Sequence, residues 1–407
     1  MKFSKLSQLF LVSMIGLAAA ALLAGCQIVT IDYVFVADSA GSSSSSNGQI
    51  QTFDADSQSG ALRSGQPSVP SGGSNPVSMT VSSDYANLYV ANQGTGSGNG
   101  NVVHFAIDGN GVLTQKDVVT PSTPPVAVAV NAAITYLFVI SGTNSATLSV
   151  YPLSSGAIGA AASPVTLTVP GYAGDTMVPT GVFALANNNA VYVTAYDQSA
   201  YNPGGSTSST ANPGWIFGFG VGSGGALTPA AGSPWKAGVK PSGLVADPTS
   251  RFLYATDFAS NQLIGYTIQS GDVLSFLING PFPTGNEPSA VTIDPRGKYM
   301  YVTNALDSSV SGFTIDLATG TPTKIVNVIG AAVNSTDTDP VAIVVDPALA
   351  RVIYTANRLG DSVSGFRLDP DTGAASPTQA TPYPTAANPT AIAAIPHGNH
   401  ANQVTTP

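Results

Sequence analysis

The sequence predicts an all-β protein: a seven-bladed β-propeller of four-stranded blades, closed by pairing the first and last strands of the chain within one blade. Three observations carry this prediction: a repeat of about fifty residues, a strand-and-turn composition, and complementary halves of one repeat at the two chain ends. A proline followed by an alternating apolar segment recurs at Pro76, Pro125, Pro179, Pro241, Pro288, Pro340 and Pro389, at intervals of 49, 54, 62, 47, 52 and 49 residues. A period of this length marks a unit that buries its faces only against its neighbours. With 43 glycines, 30 prolines, 9% charged and 43% hydrophobic residues, the chain is too apolar and too weakly charged for a disordered one.

Within each unit the elements follow in a fixed order. The segments 241–248, 288–295 and 340–347 are one strand ending in the same Asp-Pro, at Asp247, Asp294 and Asp346. Asp-Pro suits the first two positions of a type I turn, so each predicts a strand followed by a hairpin. A second strand, rich in β-branched and aromatic residues, ends at Asn92, Asp257, Asn304 and Asn357. A third follows, as in 309–315 and 362–368, and a weaker fourth, such as 324–329, leads to the next proline. Four strands per unit is the pattern of a propeller blade.

The ends of the chain explain the count of seven. The first unit starts at its second strand, Tyr33 to Asp38, and the chain finishes with an orphan first strand, 389–395. Pairing the two completes a seventh blade and removes an open sheet edge. The propeller is expected over 33–396, with 397–407 as a disordered tail.

The recurrent Tyr-Val-Thr-Asn ending, intact at Tyr301 to Asn304, resembles the repeat of the propeller family named for that motif, within the lactonase-like (6-phosphogluconolactonase-like) seven-bladed family. The resemblance spans essentially all of the chain after the leader. It weakens in units three and four, where Ser141 and Ala195 replace the Asn. It implies a propeller fold and raises the expectation of lactone hydrolysis.

Residues 1–25 read as a targeting leader. Lys2 and Lys5 precede an apolar run that ends in Leu23, Ala24, Gly25 and Cys26. That ending resembles a bacterial lipobox, which implies acylation of Cys26, a short anchor and linker over 26–32, and a membrane as one partner. Gln27, in place of the Asp that retains many lipoproteins at the inner membrane, favours the outer membrane. Cys26 is the only cysteine, so an internal disulfide, a thiolate enzyme and a cysteine zinc site are excluded. Without Lys2 and Lys5 the chain has 11 basic and 22 acidic side chains. With no basic cluster, nucleic acid is not an expected partner. A monomer is expected.

A site is expected at the end of the propeller where second strands finish and fourth strands return. Insertions at 41–48, 94–100 and 197–214 all fall there, as they do on the binding face of many repeat proteins. Lys240, Glu287, Asp339, Asn75 and Asn388, each before a repeat proline, should ring this mouth, with Asp38, Asn92, Asp257, Asn304 and Asn357 nearby. Of these, Asp38, Asn92, Asp257, Asn304, Asp339 and Asn357 are the candidate ligand-binding residues for a polar molecule, or for a cation such as calcium with oxygen ligands, although no cofactor is predicted. The alternative is that recurring Asn and Asp at strand ends cap loops through nearby backbone. A catalytic group should be singular. Glu287, the only glutamate, with Lys240 and Arg358, therefore forms the candidate catalytic set of base and oxyanion stabiliser.

His397 and His400 fall in the tail, where solvation is expected. His104 stands where other units have Gly218, Gly265, Gly312 and Gly365, and should fill space between blades. Arg251, Arg296 and Arg351 belong to hairpins at the opposite end. Phosphate loops, dinucleotide fingerprints and nucleophile elbows are absent. Two functions follow from different classes: a noncatalytic envelope platform binding a protein, glycan or small polar ligand, and, as the alternative, a hydrolase of lactones or sugar-derived esters. A flat aromatic face from the 196–215 insertion would favour the platform.

Overall fold

The structure, a computed structural model, describes residues 29–39, 48–95, 100–172, 176–199, 201, 213–326, 333–398 and 403. Seven antiparallel sheets succeed one another along the chain. Their innermost strands are Pro76–Val81, Pro125–Val130, Met177–Ala184, Pro241–Ala246, Pro288–Ile293, Pro340–Val345 and Pro389–Pro396. Each packs against the next and the last against the first, which makes a ring. Blade 1 combines Pro389–Pro396 with Thr30–Asp38, Gln49–Asp56 and Leu62–Pro70, paired from Asp32 opposite Pro396 to Ala37 opposite Ala391 and, past a bulge at Thr390, Asp38 opposite Pro389. The predicted closure is therefore present, and blades 2 to 7 follow in chain order.

Two boundaries differ from the sequence reading. The first strand starts at Thr30, with Ile31 and Asp32 already buried, because both pair across the blade with the chain end. His397 is docked there and not solvated: its N–H donates to the Ile31 carbonyl at 2.8 Å and its ring meets Tyr33 edge-on at 5.1 Å. The fourth strand is also broken in blades 3 to 7. In blade 5 it consists of Val273–Phe276 and Phe282–Pro283, both pairing with Gln262–Gln269. Pro234, Pro281 and Pro382 fall in such breaks, where a residue without an N–H cannot extend the ladder.

Contacts between blades explain the motif letter by letter. The tyrosine hydroxyl donates to a hairpin carbonyl of the following blade: Tyr89 to Gly156, Tyr192 to Asp272, Tyr254 to Gly320, Tyr301 to Gly373 and Tyr354 to Gly60, at 2.6 to 2.8 Å. Each ring is fully buried, so the hydroxyl requires this partner. The valine sits in the core, as do Val90 and Val302. The threonine serves a bulge just after the repeat proline. Thr256 Oγ1 accepts the Gly243 N–H at 2.7 Å and Thr303 Oγ1 the Ala290 N–H at 3.0 Å, amides that lie at the register shift. The terminal Asn or Asp holds the loop by which the chain enters its own blade from the preceding one, as Asn304 does with Gly285 and Asp257 with Val239 and Lys240.

The third-strand glycines face these tyrosines: Gly365 pairs with Tyr354 and Gly312 with Tyr301. A Cβ on Gly365 would lie 2.6 Å from Thr378 Oγ1 and 3.1 Å from the Tyr354 ring. Gly365→Val should therefore destabilise by about 1–3 kcal/mol through overpacking, read as a lower midpoint in urea unfolding. In blade 2 the position is His104, whose ring stacks on Tyr89 at 5.0 Å and contacts Asn87 Oδ1 at 2.8 Å and Asp117 Oδ2 at 3.0 Å. It fills the space the glycine leaves elsewhere, within its own blade and with both ring nitrogens partnered.

The hairpins at the far end behave as Asp-Pro turns. Asp247 Oδ1 accepts the Arg251 and Phe252 N–H groups, and Asp294 Oδ1 those of Lys298 and Tyr299. Arg296 pairs with Asp294 at 2.7 Å, and Arg251 donates to the Leu317 carbonyl of the next blade. No helix among the described residues is long and apolar enough to cross a membrane. Cys26 lies outside the described residues, as do most of the 41–48 and 197–214 insertions.

Candidate active site

Along the channel the innermost strands enclose a cavity of about 410 Å³ lined largely by apolar side chains and backbone, including Val128, Val182, Leu244, Val291 and Ile343. Two of its hydroxyls tie adjacent blades together: Ser289 donates to the Pro340 carbonyl and Ser242 to that of Pro288, each reaching the next blade. The titratable chemistry lies instead at the mouth.

One pairing of backbone groups places the mouth side chains. The residue before each repeat proline offers its carbonyl to the N–H of the residue that follows the second strand: Asn75 to Gln93, Lys240 to Phe258, Glu287 to Ala305, Asp339 to Arg358 and Asn388 to Ser39. Two side chains per blade are thereby brought together. Asn75 Nδ2 donates to Gln93 Oε1 at 3.1 Å, and Arg358 Nε pairs with Asp339 Oδ2 at 2.8 Å. Asn75, Glu287, Asp339 and Asn388 adopt left-handed backbone, with φ of 54°, 54°, 61° and 55°. For Glu287 this unusual conformation is held from the previous blade, where Asn261 Oδ1 accepts its N–H at 2.8 Å. Asn261 Nδ2 in turn donates to Asn286 Oδ1, and Asn286 donates to both oxygens of Asp307.

The candidate ligand-binding residues divide into three groups. Asn92, Asp257, Asn304 and Asn357 are fully buried and occupied. Asp257 accepts the Val239 and Lys240 N–H groups at 3.0 and 2.9 Å, and Asn304 accepts that of Gly285 while donating to Ser309 and Ser311. Asn92 bonds Ser71 and Asn101, and Asn357 bonds Ser362 and Ser364. These four shape the mouth and do not line it, because their hydrogen bonds are spent on the loops they cap. Asp339 is the ion-pair partner of Arg358. Asp38 stands apart: it is fully buried, and the Thr385 hydroxyl, which donates to the Ala386 carbonyl, acts on its carboxylate without reaching hydrogen-bond geometry at either oxygen. Its capping task has passed to Gln51, which accepts the Ala386 N–H, and to Asp361, which accepts that of Asn388. Burial pushes its carboxyl up to about 8, against the opposing effect of the Thr385 hydroxyl. No group of three or more His, Cys, Asp or Glu side chains among the described residues is arranged to hold a metal ion.

The candidate catalytic set separates. Arg358 is committed to Asp339, whereas Lys240 and Glu287 come from adjacent blades and act on one another. Burial lowers the Lys240 ammonium from its ordinary value, and the Glu287 charge opposes that shift. The ion pairs among the described residues do not include the two, so their separation exceeds direct contact. The Lys240 Nζ lies over the rings of Phe258 and Tyr201, at 4.2 and 4.3 Å from their centroids, and 5.6 Å from that of Tyr196. Tyr201 meets Tyr196 edge-on at 5.8 Å. Sequence reasoning missed Phe258, although its signal was present: it occupies the same post-motif position as Gln93 and Arg358.

The structure is thus a closed ring of seven blades that brings an acid and a shielded ammonium from neighbouring blades to one mouth. The chain belongs to the seven-bladed β-propeller lactonase family, which it matches over residues 39–177 and 232–400. Comparison with curated protein sequences gives no match. Among solved structures it is similar to a periplasmic gluconolactonase of Pseudomonas aeruginosa, 18% identical, with a TM-score of 0.75 over 91% of this chain and 100% of that one. It is also similar to putative 6-phosphogluconolactonases of Bacteroides fragilis and Bacteroides uniformis, each 18% identical, with TM-scores of 0.70 and 0.71 over 90% of this chain and 98% and 100% of those. At such identity these likenesses concern the fold.

Proposed function

We propose that the protein hydrolyses lactones at the propeller mouth, with Glu287 as base and Lys240 as the stabiliser of negative charge. Family membership favours this reading over the noncatalytic platform. The observation that carries it is the Lys240 and Glu287 pair, two opposite charges that influence each other without direct contact in a half-buried aromatic setting. Glu287 takes a proton from water as the water oxygen bonds to the lactone carbonyl carbon. The Lys240 ammonium stabilises the charge that develops on the carbonyl oxygen. Collapse of the intermediate breaks the ring C–O bond, the departing alkoxide takes up the proton, and a hydroxy acid is released.

The rings of Phe258, Tyr201 and Tyr196 exclude water from the ammonium, which strengthens its field at the carbonyl. The apolar leader and Cys26 support an exported, lipid-anchored enzyme acting in the cell envelope, consistent with the periplasmic source of one structural relative. The test is turnover by the purified leaderless protein of a panel of sugar and alkyl lactones, followed by pH-stat. Hydrolysis above the spontaneous rate is expected. A panel with no turnover would return the mouth to a binding role, with the exposed Leu306 and Leu359 on neighbouring turns as its first contacts.

A further inference from the structure

Charge at the mouth is distributed unevenly. From blade 5 to blade 7 the turns and loops of this end carry Glu287, Asp307, Asp337, Asp339 and Asp361. Against them stand Lys240 and Arg358. Arg358 is held by Asp339 at 2.8 Å, and Lys240 is enclosed by three rings and faces Glu287. Lys324 belongs to an outer strand and its Nζ donates to the Thr284 carbonyl. Lys236 lies on the outer strand of blade 4. Among the described residues, then, the arc sets five carboxylates against two cations, of which Lys240 is enclosed by rings and Arg358 is already balanced by Asp339 through its Nε.

A phosphate on the substrate would bring up to two further negative charges to an arc that already carries a net negative charge, and the repulsion would oppose its binding there. Hydroxyl groups fare differently, because carboxylate oxygens accept hydrogen bonds from them. Beside the arc, Tyr196, Tyr201 and Phe258 offer ring faces of the kind on which the C–H face of a sugar ring packs.

Resting on the lactonase reading, we infer that the mouth accepts uncharged polyhydroxylated lactones and rejects lactones bearing a phosphate. The sugar ring lies against the aromatic wall and its hydroxyls donate to the acidic arc. Specificity then comes from repulsion of the phosphorylated analogue as much as from attraction of the neutral one. Since the repulsion is electrostatic and near the surface, salt screens it.

The test compares kcat/KM for glucono-1,5-lactone and its 6-phosphate at low and high ionic strength, in the wild type and in the double variant Asp337→Asn/Asp361→Asn. A preference of about tenfold or more for the unphosphorylated lactone at low salt is expected, narrowing both with salt and in the variant. Equal or better use of the phosphorylated lactone would overturn the inference while leaving the lactonase reading intact. If neither compound is turned over, inorganic phosphate becomes the probe of charge, and the lactonase reading falls only if the whole lactone panel also gives no turnover. No change of Tm is then expected with phosphate, and a rise that Lys240→Met removes would overturn the charge assignment by itself.

Discussion

Removal of residues 389–407 is expected to abolish cooperative unfolding. The deletion takes away the innermost strand of blade 1 and, with it, the buried Ala391, Ile392, Ala393, Ala394 and Ile395. It also uncovers the whole inner edge of Thr30–Asp38, a row of backbone donors and acceptors with no replacement partner. On either side, the strands Pro76–Val81 and Pro340–Val345 lose the neighbour that completes the ring. Because each blade is stable only against two others, the loss is shared by the molecule and is not confined to blade 1. Circular dichroism during urea unfolding should show a broad, low-amplitude transition. A variant lacking only 398–407 keeps the strand and the His397 contacts and should unfold like the wild type. A sharp, unshifted transition in the longer deletion would refute closure by the chain ends.

Stability is expected to fall as pH rises from about 4 to about 8, and Asp38→Asn should remove much of that fall. The folded state raises the Asp38 carboxyl from its ordinary 3.8 to about 8 by burial. A group shifted upward in the folded state contributes its full share below the unfolded value and loses it as pH climbs through the folded one. The loss is about 1.4 kcal/mol for each pH unit inside that window. Asp32, at the other end of the same strand, acts in the same direction through burial first and the Asp346 charge second. Asp38→Asn should thus match the wild type near pH 4 and exceed it by several kcal/mol near pH 8, measured as urea midpoints at both pH values. A variant equally stable or less stable than the wild type at pH 8 would mean that the carboxylate is partnered when ionised.

These two predictions mark what could and could not be read from the sequence. Closure was legible because the pieces 33–38 and 389–395 are recognisable halves of one repeat. The mouth was legible because a proline fixes where each innermost strand begins, which places Glu287 and Lys240 at equivalent positions in adjacent blades. The function of the motif tyrosine was not, since Tyr301 bonds a carbonyl 72 residues away and Tyr354 one 294 residues away. The bulge served by Thr303 was hidden as well, because one extra residue in a strand leaves no mark on spacings that already vary. Asp38 looked like the other caps, and only the geometry of Gln51 and Asp361 shows that its task has been taken over. The aromatic enclosure of Lys240 joins residues from two blades and an insertion, and no single repeat position announces it.

The most direct measurement is kcat/KM of Glu287→Gln on the lactone that the wild type uses best, with the fold verified by its urea midpoint. Loss of a general base predicts a fall of about 10²- to 10⁴-fold, carried by kcat, in a protein as stable as the wild type. Wild-type turnover in that variant would contradict catalysis by Glu287 at the mouth.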